Sequence, residues 1–122
     1  MSVIVDISIG ELYDKYSILE IKLEKINDTQ KLEWVQKEYD LLKTLVESNP
    51  ITGILKSKIK EINIFLWDVE EELRQKESRM EFDDGFVQLA RKVYKYNDER
   101  SMIKQEINIE TKSILRDIKS YV

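Results

Sequence analysis

The chain has 122 residues and a formal net charge of −4, and its 36% charged and 42% hydrophobic residues are typical of amphipathic helices in a single domain, 1–122. The absence of Cys excludes disulfides and thiolate chemistry, and the absence of His removes the usual general base near neutral pH and the commonest metal ligand. Three Gly and one Pro are too few for an all-β protein, and the acidic balance argues against nucleic-acid binding.

Hydropathy along the chain predicts no membrane association. No apolar stretch reaches the ~20 residues that span a bilayer. Residues 1–10 lack the basic start of a signal peptide. We therefore expect a cytoplasmic protein, in the host cytoplasm if a phage encodes it, and the residue pattern predicts no cofactor and no metal site.

The first half of the chain predicts a helical hairpin after a short extended arm, residues 1–7. Ser8 and Glu11 have the spacing of a capping box and start a helix over about 9–26. A second helix follows over about 29–47 after a break of about two residues, so the two helices should be antiparallel. Apolar residues repeat every three or four positions on both helices, at Ile9, Leu12, Tyr16, Leu19, Leu23, Ile26, Leu32, Val35, Tyr39, Leu42 and Val46.

The second half predicts another hairpin. Pro50 ends the first hairpin, and the periodic pattern resumes over about 52–77. Asp83 or Asp84 can cap a long final helix over about 84–120. This stretch contains no Pro, and it contains no Gly after its first turn. The apolar seams of these helices are Leu55, Ile59, Ile62, Leu66, Val69, Leu73 and Phe86, Leu89, Val93, Tyr96, Ile103, Ile107. Trp34 and Trp67 are interpreted as core residues.

These elements predict an all-α fold: an antiparallel four-helix bundle of two helical hairpins, with a long C-terminal helix and a short extended N-terminal arm. The last helix should be longer than the first hairpin, which leaves Ile114, Leu115 and Ile118 uncovered. An exposed apolar ridge usually finds a partner. We therefore expect a homodimer formed through the C-terminal helix.

Polar side chains at core-like spacing are the candidate site. On the final helix a second stripe, which includes Ser101 and Asn108, carries hydrogen-bonding groups beside the apolar seam. If the polar stripes of the first, third and final helices converge, Glu70 and Glu77 should face Arg91 or Arg100, and Lys15 or Lys22 should meet Asp98. The candidate ligand or network residues are Lys15, Glu20, Lys22, Trp67, Glu70, Arg74, Glu77, Arg91, Tyr94, Asn97, Asp98, Arg100 and Lys104.

The same stripes have three interpretations. They are a solvated face laced with weak salt bridges, a buried structural network of paired charges, or a binding site for a small anionic or hydroxyl-rich ligand. A stability measurement on Arg74→Ala separates the first two, because an uncompensated buried charge costs ~3 kcal/mol or more and a solvated one under about 1 kcal/mol.

Several short stretches resemble an uncharacterised domain-of-unknown-function family of short all-helical proteins found in bacteria and tailed phages. The resemblance covers nearly the whole chain and implies that these polar residues act together. The stretches that carry it are Gly10-Glu11-Leu12, Asp14-Lys15, Ile18 to Lys22, Leu66-Trp67 with Glu70, Arg74 and Glu77, Leu89-Ala90-Arg91, Val93-Tyr94, Asn97-Asp98, Arg100, Ile103-Lys104 and Lys119-Ser120-Tyr121.

A weaker resemblance is to the Mg²⁺-dependent nucleotide pyrophosphohydrolases, whose helices cluster four carboxylates around a metal. Their pattern is Glu-Glu-x-x-Glu followed later by Glu-x-x-Asp, and the second half of it fits residues 11–14 and 81–84. The first half departs from it, since Gln75 stands where the third Glu should be.

The sequence therefore predicts a non-enzymatic helical module that self-associates. Such a module would bind a protein partner or a small polar or anionic ligand through the polar cluster between its first, third and fourth helices. The alternative is a Mg²⁺- or Mn²⁺-dependent hydrolase that acts on a nucleotide or sugar nucleotide.

Overall fold

The computed structural model describes residues 1–118 as four helices with no strand. They are α1 (Ile9–Lys25), α2 (Thr29–Ser48), α3 (Gly53–Ser78) and α4 (Asp84–Thr111). The predicted all-α class and four-helix bundle are confirmed, and the bounds of the first three helices agree with the prediction to within one residue at each end. Residues 119–122 lie outside the described part of the chain.

A polar side chain caps the N-terminus of every helix. Ser8 accepts from the backbone N–H of Glu11 at 3.0 Å, and Asp28, Thr52 and Asp83 make the same contact three residues on. Each contact satisfies one of the backbone donors that a helix start leaves free. The second half of the predicted capping box does not form, because the carboxylate of Glu11 pairs with Lys104.

α1 is the central helix of the bundle. It packs against α2, α3 and α4, and α3 packs against α4 as the second hairpin. Within residues 1–118, α2 has α1 as its only neighbouring helix. The bundle is therefore a three-helix unit of α1, α3 and α4 with α2 attached along one side.

The core forms where the predicted apolar seams meet. Leu12, Tyr13, Ile59, Ile62 and Ile107 are buried in one cluster, to which the end of α2 contributes Val46. The hydroxyl of Tyr13 donates to the backbone carbonyls of Val46, at 3.1 Å, and Asn49, at 2.6 Å. This phenol holds the C-terminal end of α2 on α1.

The predicted extent of the final helix is wrong, because α4 ends at Thr111 and not near residue 120. The hydroxyl of Thr111 donates to the carbonyl of Ile107 at 2.7 Å, Lys112 has a left-handed backbone (φ 53°), and the N–H of Ser113 bonds Asn108 O at 2.9 Å. The chain then turns back towards the start of α1. The hydrogen bonds of Ser113 and Asp117 with the start of α1 replace those that a longer α4 would make.

The C-terminal helical ridge predicted for dimerisation is therefore absent up to residue 118. Ile114 and Ile118 are 97% and 82% exposed, as expected, but they lie on a non-helical segment. The dimer itself stays a prediction.

The prediction that Trp34 is a core residue is also wrong, since 68% of it is exposed. The second apolar stripe of α2 has no helix to cover it, because α2 touches only α1 within the described residues. The N-terminal arm is likewise outside the core, with Val3 and Ile4 83% and 96% exposed.

Candidate functional site

A groove between three helices contains the core of the predicted polar cluster. It has a volume of about 440 Å³, and it is called here the three-helix groove. α3 supplies six of the lining residues, of which Asn63, Trp67, Glu70 and Arg74 follow one another at steps of four, three and four. α1 supplies one apolar residue, and α4 supplies one cation. The lining residues are Ile18, Asn63, Leu66, Trp67, Glu70, Glu71, Arg74 and Arg100.

The inner end of the groove is polar and held by hydrogen bonds. The side-chain amide of Asn63, which is only 4% exposed, donates to the carboxylate of Asp14 at 2.9 Å and to the hydroxyl of Ser17 at 2.8 Å. Ser17 in turn donates to the backbone carbonyl of Asp14 at 2.8 Å. A buried carboxylate persists only with such partners, so this network fixes α3 on α1.

Trp67 forms part of the groove wall with an unsatisfied donor. The indole is half-buried, and its Nε1–H is buried without an acceptor among residues 1–118. A buried donor without a partner costs about 1–3 kcal/mol.

The rim of the groove has both signs of charge. Arg74 is exposed and Arg100 is half-buried, and within residues 1–118 no carboxylate lies within 4.0 Å of either guanidinium. Glu70 lines the groove on the turn of α3 before Arg74. Two guanidinium groups without ion-pair partners, on different helices, are suited to binding an anion.

The other predicted candidates lie outside the three-helix groove. The predicted pairs of Glu70 or Glu77 with Arg91 or Arg100, and of Lys15 or Lys22 with Asp98, are absent from residues 1–118. The predicted candidates that the three-helix groove brings together are Trp67, Glu70, Arg74 and Arg100. Glu77 lines an adjacent α3–α4 depression, to which Glu70 and Arg74 also contribute. Of the others, Lys15 and Lys104 both pair with Glu11, Glu20 pairs with Lys60, Lys22, Asn97 and Asp98 are half-buried, and Arg91 and Tyr94 are exposed.

A second polar network, between α1 and α4, was not predicted as a unit. Asn108 is fully buried, and its side-chain oxygen accepts from the backbone N–H of Gly10 at 2.7 Å. Its amide nitrogen donates to Asp117 at 2.7 Å, and Ser8 donates to the same carboxylate at 2.8 Å. The α1–α4 polar network thus joins the start of α1 to the segment after α4.

Ser113 and Lys104 complete the α1–α4 polar network. The hydroxyl of Ser113 accepts from the backbone N–H of Ile9 at 3.1 Å. Lys104 forms an ion pair with Glu11 and lies 3.5 Å from Asp117. The polar stripe on the final helix could have indicated the roles of Lys104 and Asn108. Nothing in the sequence indicates the role of Asp117, because the pattern predicts a helix at residue 117.

Two pKa values in this network follow from these contacts. Burial raises the pKa of Asp117, but the hydrogen bonds from Asn108 and Ser8 and the charge of Lys104 outweigh it and hold the pKa below its usual value. Burial lowers the pKa of Lys104, and its contact with Glu11 more than reverses this, so the pKa is raised. Both groups are therefore stabilised in their charged forms.

Acidification should weaken this network through Asp117. Because the pKa is lower in the folded than in the unfolded state, the carboxylate stabilises the fold above its unfolded pKa of about 4, and this contribution is lost as the pH falls below that value. We expect wild type to lose more stability than Asp117→Asn in denaturant titrations below about pH 4. Asp68→Asn, on an exposed side chain, is the control and should follow wild type. Parallel curves for wild type and Asp117→Asn would contradict the assignment.

Three of the four carboxylates that the hydrolase interpretation needs have other partners. Glu11 pairs with Lys104, Asp14 with Asn63, and Glu81 with Arg79. Within residues 1–118 no three carboxylates are close enough together to hold a metal ion. The hydrolase interpretation stays a hypothesis.

Within residues 1–118, no helix combines the length and apolar character required to cross a membrane.

Comparison with known proteins identifies a family for nearly the whole chain. A family model described as "Family of unknown function (DUF6165)" matches residues 3–122. Neither a curated protein nor a solved structure matches the chain.

Proposed function

Because the chain belongs to the DUF6165 family of unknown function, family membership assigns no activity, and we propose a function from the three-helix groove. The protein is a non-enzymatic binding module that holds a small anionic, hydroxyl-bearing ligand. The observation that carries the proposal is the presence in one groove, beside Trp67, of two guanidinium groups on different helices without carboxylate partners among residues 1–118.

The chemistry of the groove defines the ligand class. Arg74 and Arg100 suit a phosphate or carboxylate, which accepts several charge-assisted hydrogen bonds. The carboxylate of Glu70 suits hydroxyl groups, because an ionised carboxylate only accepts hydrogen bonds. Ile18, Leu66 and the face of Trp67 supply apolar contact. A phosphorylated or carboxylated sugar has all three features.

The size of the groove agrees with a ligand of this kind. Small-molecule sites have volumes of roughly 300–1,000 Å³, and the three-helix groove has about 440 Å³. The site lies between α1, α3 and α4, each of which packs against the other two, and the Asn63 network fixes its inner end. A site on rigid elements binds with less ordering cost than one on loops.

Calorimetric titration with a hexose phosphate, with inorganic phosphate and the unphosphorylated hexose as comparisons, tests the proposal. We expect the hexose phosphate to bind best, and Arg74→Gln and Arg100→Gln each to weaken its binding tenfold or more, because each removes a charge-assisted hydrogen bond. Arg74→Gln should cost under about 1 kcal/mol of stability, since Arg74 is exposed and has no ion pair in the described chain.

Arg91→Gln is the matched control, because Arg91 is an exposed arginine of α4 outside the groove. Its binding should equal that of wild type. If Arg91→Gln weakened binding as much as the groove variants do, the loss of binding would be an effect of net charge. Unchanged binding in the two groove variants would exclude the groove as the site.

We also propose that the protein self-associates. Large apolar side chains are exposed on α2 and on the segment after α4, and such surfaces commonly mark interfaces. A homodimer is the commonest soluble assembly. The C-terminal segment predicted to form it is not helical up to residue 118, and α2 and α4 both carry rows of exposed apolar side chains.

A further inference from the structure

The three-helix groove contains acids and bases in equal number. α3 supplies two carboxylates and one guanidinium, and α4 supplies the second guanidinium; they belong to Glu70, Glu71, Arg74 and Arg100. Within residues 1–118, no ion pair of 4.0 Å or less includes any of the four. The groove therefore holds charges of both signs that the described part of the chain does not pair.

This lack of pairing distinguishes the groove from two other cavities of the same bundle. In a cavity between α1 and α3, the ammonium group of Lys60 lies 3.7 Å from the carboxylate of Glu20. In a cavity between α3 and α4, Lys58 lies 3.5 Å from Glu106. In both, a base of the cavity is neutralised by an acid of the same cavity. The three-helix groove leaves both signs of charge for a ligand.

One acid and one base of α3 lie on different sides of the groove. Glu70 and Arg74 also line the α3–α4 depression, so their row of α3 lies towards α4. Glu71 lines the three-helix groove but not that depression, so it lies on the side of α3 away from α4. A ligand that reaches across the groove therefore meets a cation on one side and a carboxylate on the other.

A ligand with negative charge alone would match only half of these groups. Arg74 and Arg100 would attract it, but the carboxylates of the same groove would repel it. An ammonium group on the ligand replaces this repulsion with attraction and donates charge-assisted hydrogen bonds to a carboxylate. A ligand that carries both charges is therefore the better match to the groove.

We propose that the ligand of the three-helix groove is a zwitterion of the amino sugar phosphate class. Its anionic group lies against Arg74 and Arg100, its ammonium group against Glu71, and its hydroxyl groups against Glu70. Side chains three residues apart on a helix start about 5–6 Å from each other, and one pyranose ring with an amine and a phosphate at opposite ends bridges such a spacing. The inference rests on the proposed function and narrows its ligand class.

Calorimetric titration of the full chain at about pH 6.5, where an amine carries its positive charge, tests the charge of the ligand. The probes are glucosamine-6-phosphate, glucose-6-phosphate and N-acetylglucosamine-6-phosphate. We expect the first to bind roughly tenfold more tightly than the other two, because they have no ammonium group to donate to a carboxylate.

Glu71→Gln tests the residue assigned to the ammonium group. It should lower the affinity for glucosamine-6-phosphate to that for glucose-6-phosphate, and it should not weaken the binding of glucose-6-phosphate. Glu71 is exposed and has no ion pair within residues 1–118, so the variant should keep the circular dichroism spectrum of wild type. Glu72→Gln is the matched control, because this exposed neighbour lies outside the groove. It should keep the wild-type preference.

The other outcomes separate this inference from the proposed function. Equal binding of the three phosphates by wild type would overturn the zwitterion and leave the proposed function standing. A preference that Glu71→Gln retains, or that Glu72→Gln loses equally, would overturn the assignment to Glu71. If none of the phosphates bound, the proposed function would be wrong as well.

Discussion

Gly10→Ala is expected to lower the free energy of unfolding by about 3 kcal/mol, because a side chain at this position collides with α4. A Cβ on Gly10 would lie 2.5 Å from the carbonyl oxygen of Lys104 and 2.9 Å from the side-chain oxygen of Asn108. The first of these is a backbone atom and cannot rotate away. α1 and α4 would have to separate, and the hydrogen bond from Gly10 N–H to Asn108 would lengthen.

Gly53→Ala is the matched control for this measurement. Gly53 also lies in the first turn of a helix, but a Cβ there has no atom within 4 Å. Alanine has the higher helix propensity, so Gly53→Ala should be neutral or slightly stabilising. Urea titrations monitored by circular dichroism give both values. A Gly10→Ala protein as stable as the Gly53→Ala protein would show that α1 and α4 do not pack this closely.

Asn108→Ala is expected to cost a similar amount, about 3 kcal/mol, for a different reason. The side chain is fully buried and joins the backbone N–H of Gly10 to the carboxylate of Asp117. Its removal leaves a buried donor and a partly buried carboxylate without this partner, and it leaves a small cavity. Asn97→Ala, on the same helix at a half-buried position, should cost under about 1 kcal/mol.

The two asparagine variants also differ in their expected response to acid. Since Asn108 donates to Asp117, Asn108→Ala should reduce the loss of stability below about pH 4 that wild type shows, as Asp117→Asn does. Asn97→Ala should retain it. A wild-type acid response in Asn108→Ala would show that this hydrogen bond does not hold down the pKa of Asp117.

The helices were predictable from local chemistry, and their limits from capping residues. Periodic apolar positions and the caps at Ser8 and Asp83 gave helix bounds that agree with the structure to within one residue, except at one end. That exception is Thr111, where no Gly or Pro marks a stop. The end is set by hydrogen bonds to residues about 100 positions away, which no local pattern reports.

The candidate site was predictable in part for the same reason. Trp67, Glu70 and Arg74 share one face of α3, so helix spacing alone groups them, and Arg100 was among the expected partners on α4. Asn63 was missed because a single polar residue inside an apolar seam gives no periodic signal. Of the predicted ion pairs, Glu70 and Arg100 line the same groove but do not come within 4.0 Å of each other, a separation that depends on helix rotation and that helix spacing alone does not report.

The return of the chain after Thr111 has a consequence for the order in which the protein can fold during synthesis. The start of α1 is emerging from the ribosome while its partners are still untranslated, since Ser8 and Gly10 bond residues 109 and 98 positions later. Nascent α1 and α2 can form a hairpin, but the backbone N–H groups of Ile9 and Gly10 stay in water until Ser113 and Asn108 have been made. The native state is therefore completed from its two ends, and the earliest helix in the chain is among the last to acquire its full set of contacts.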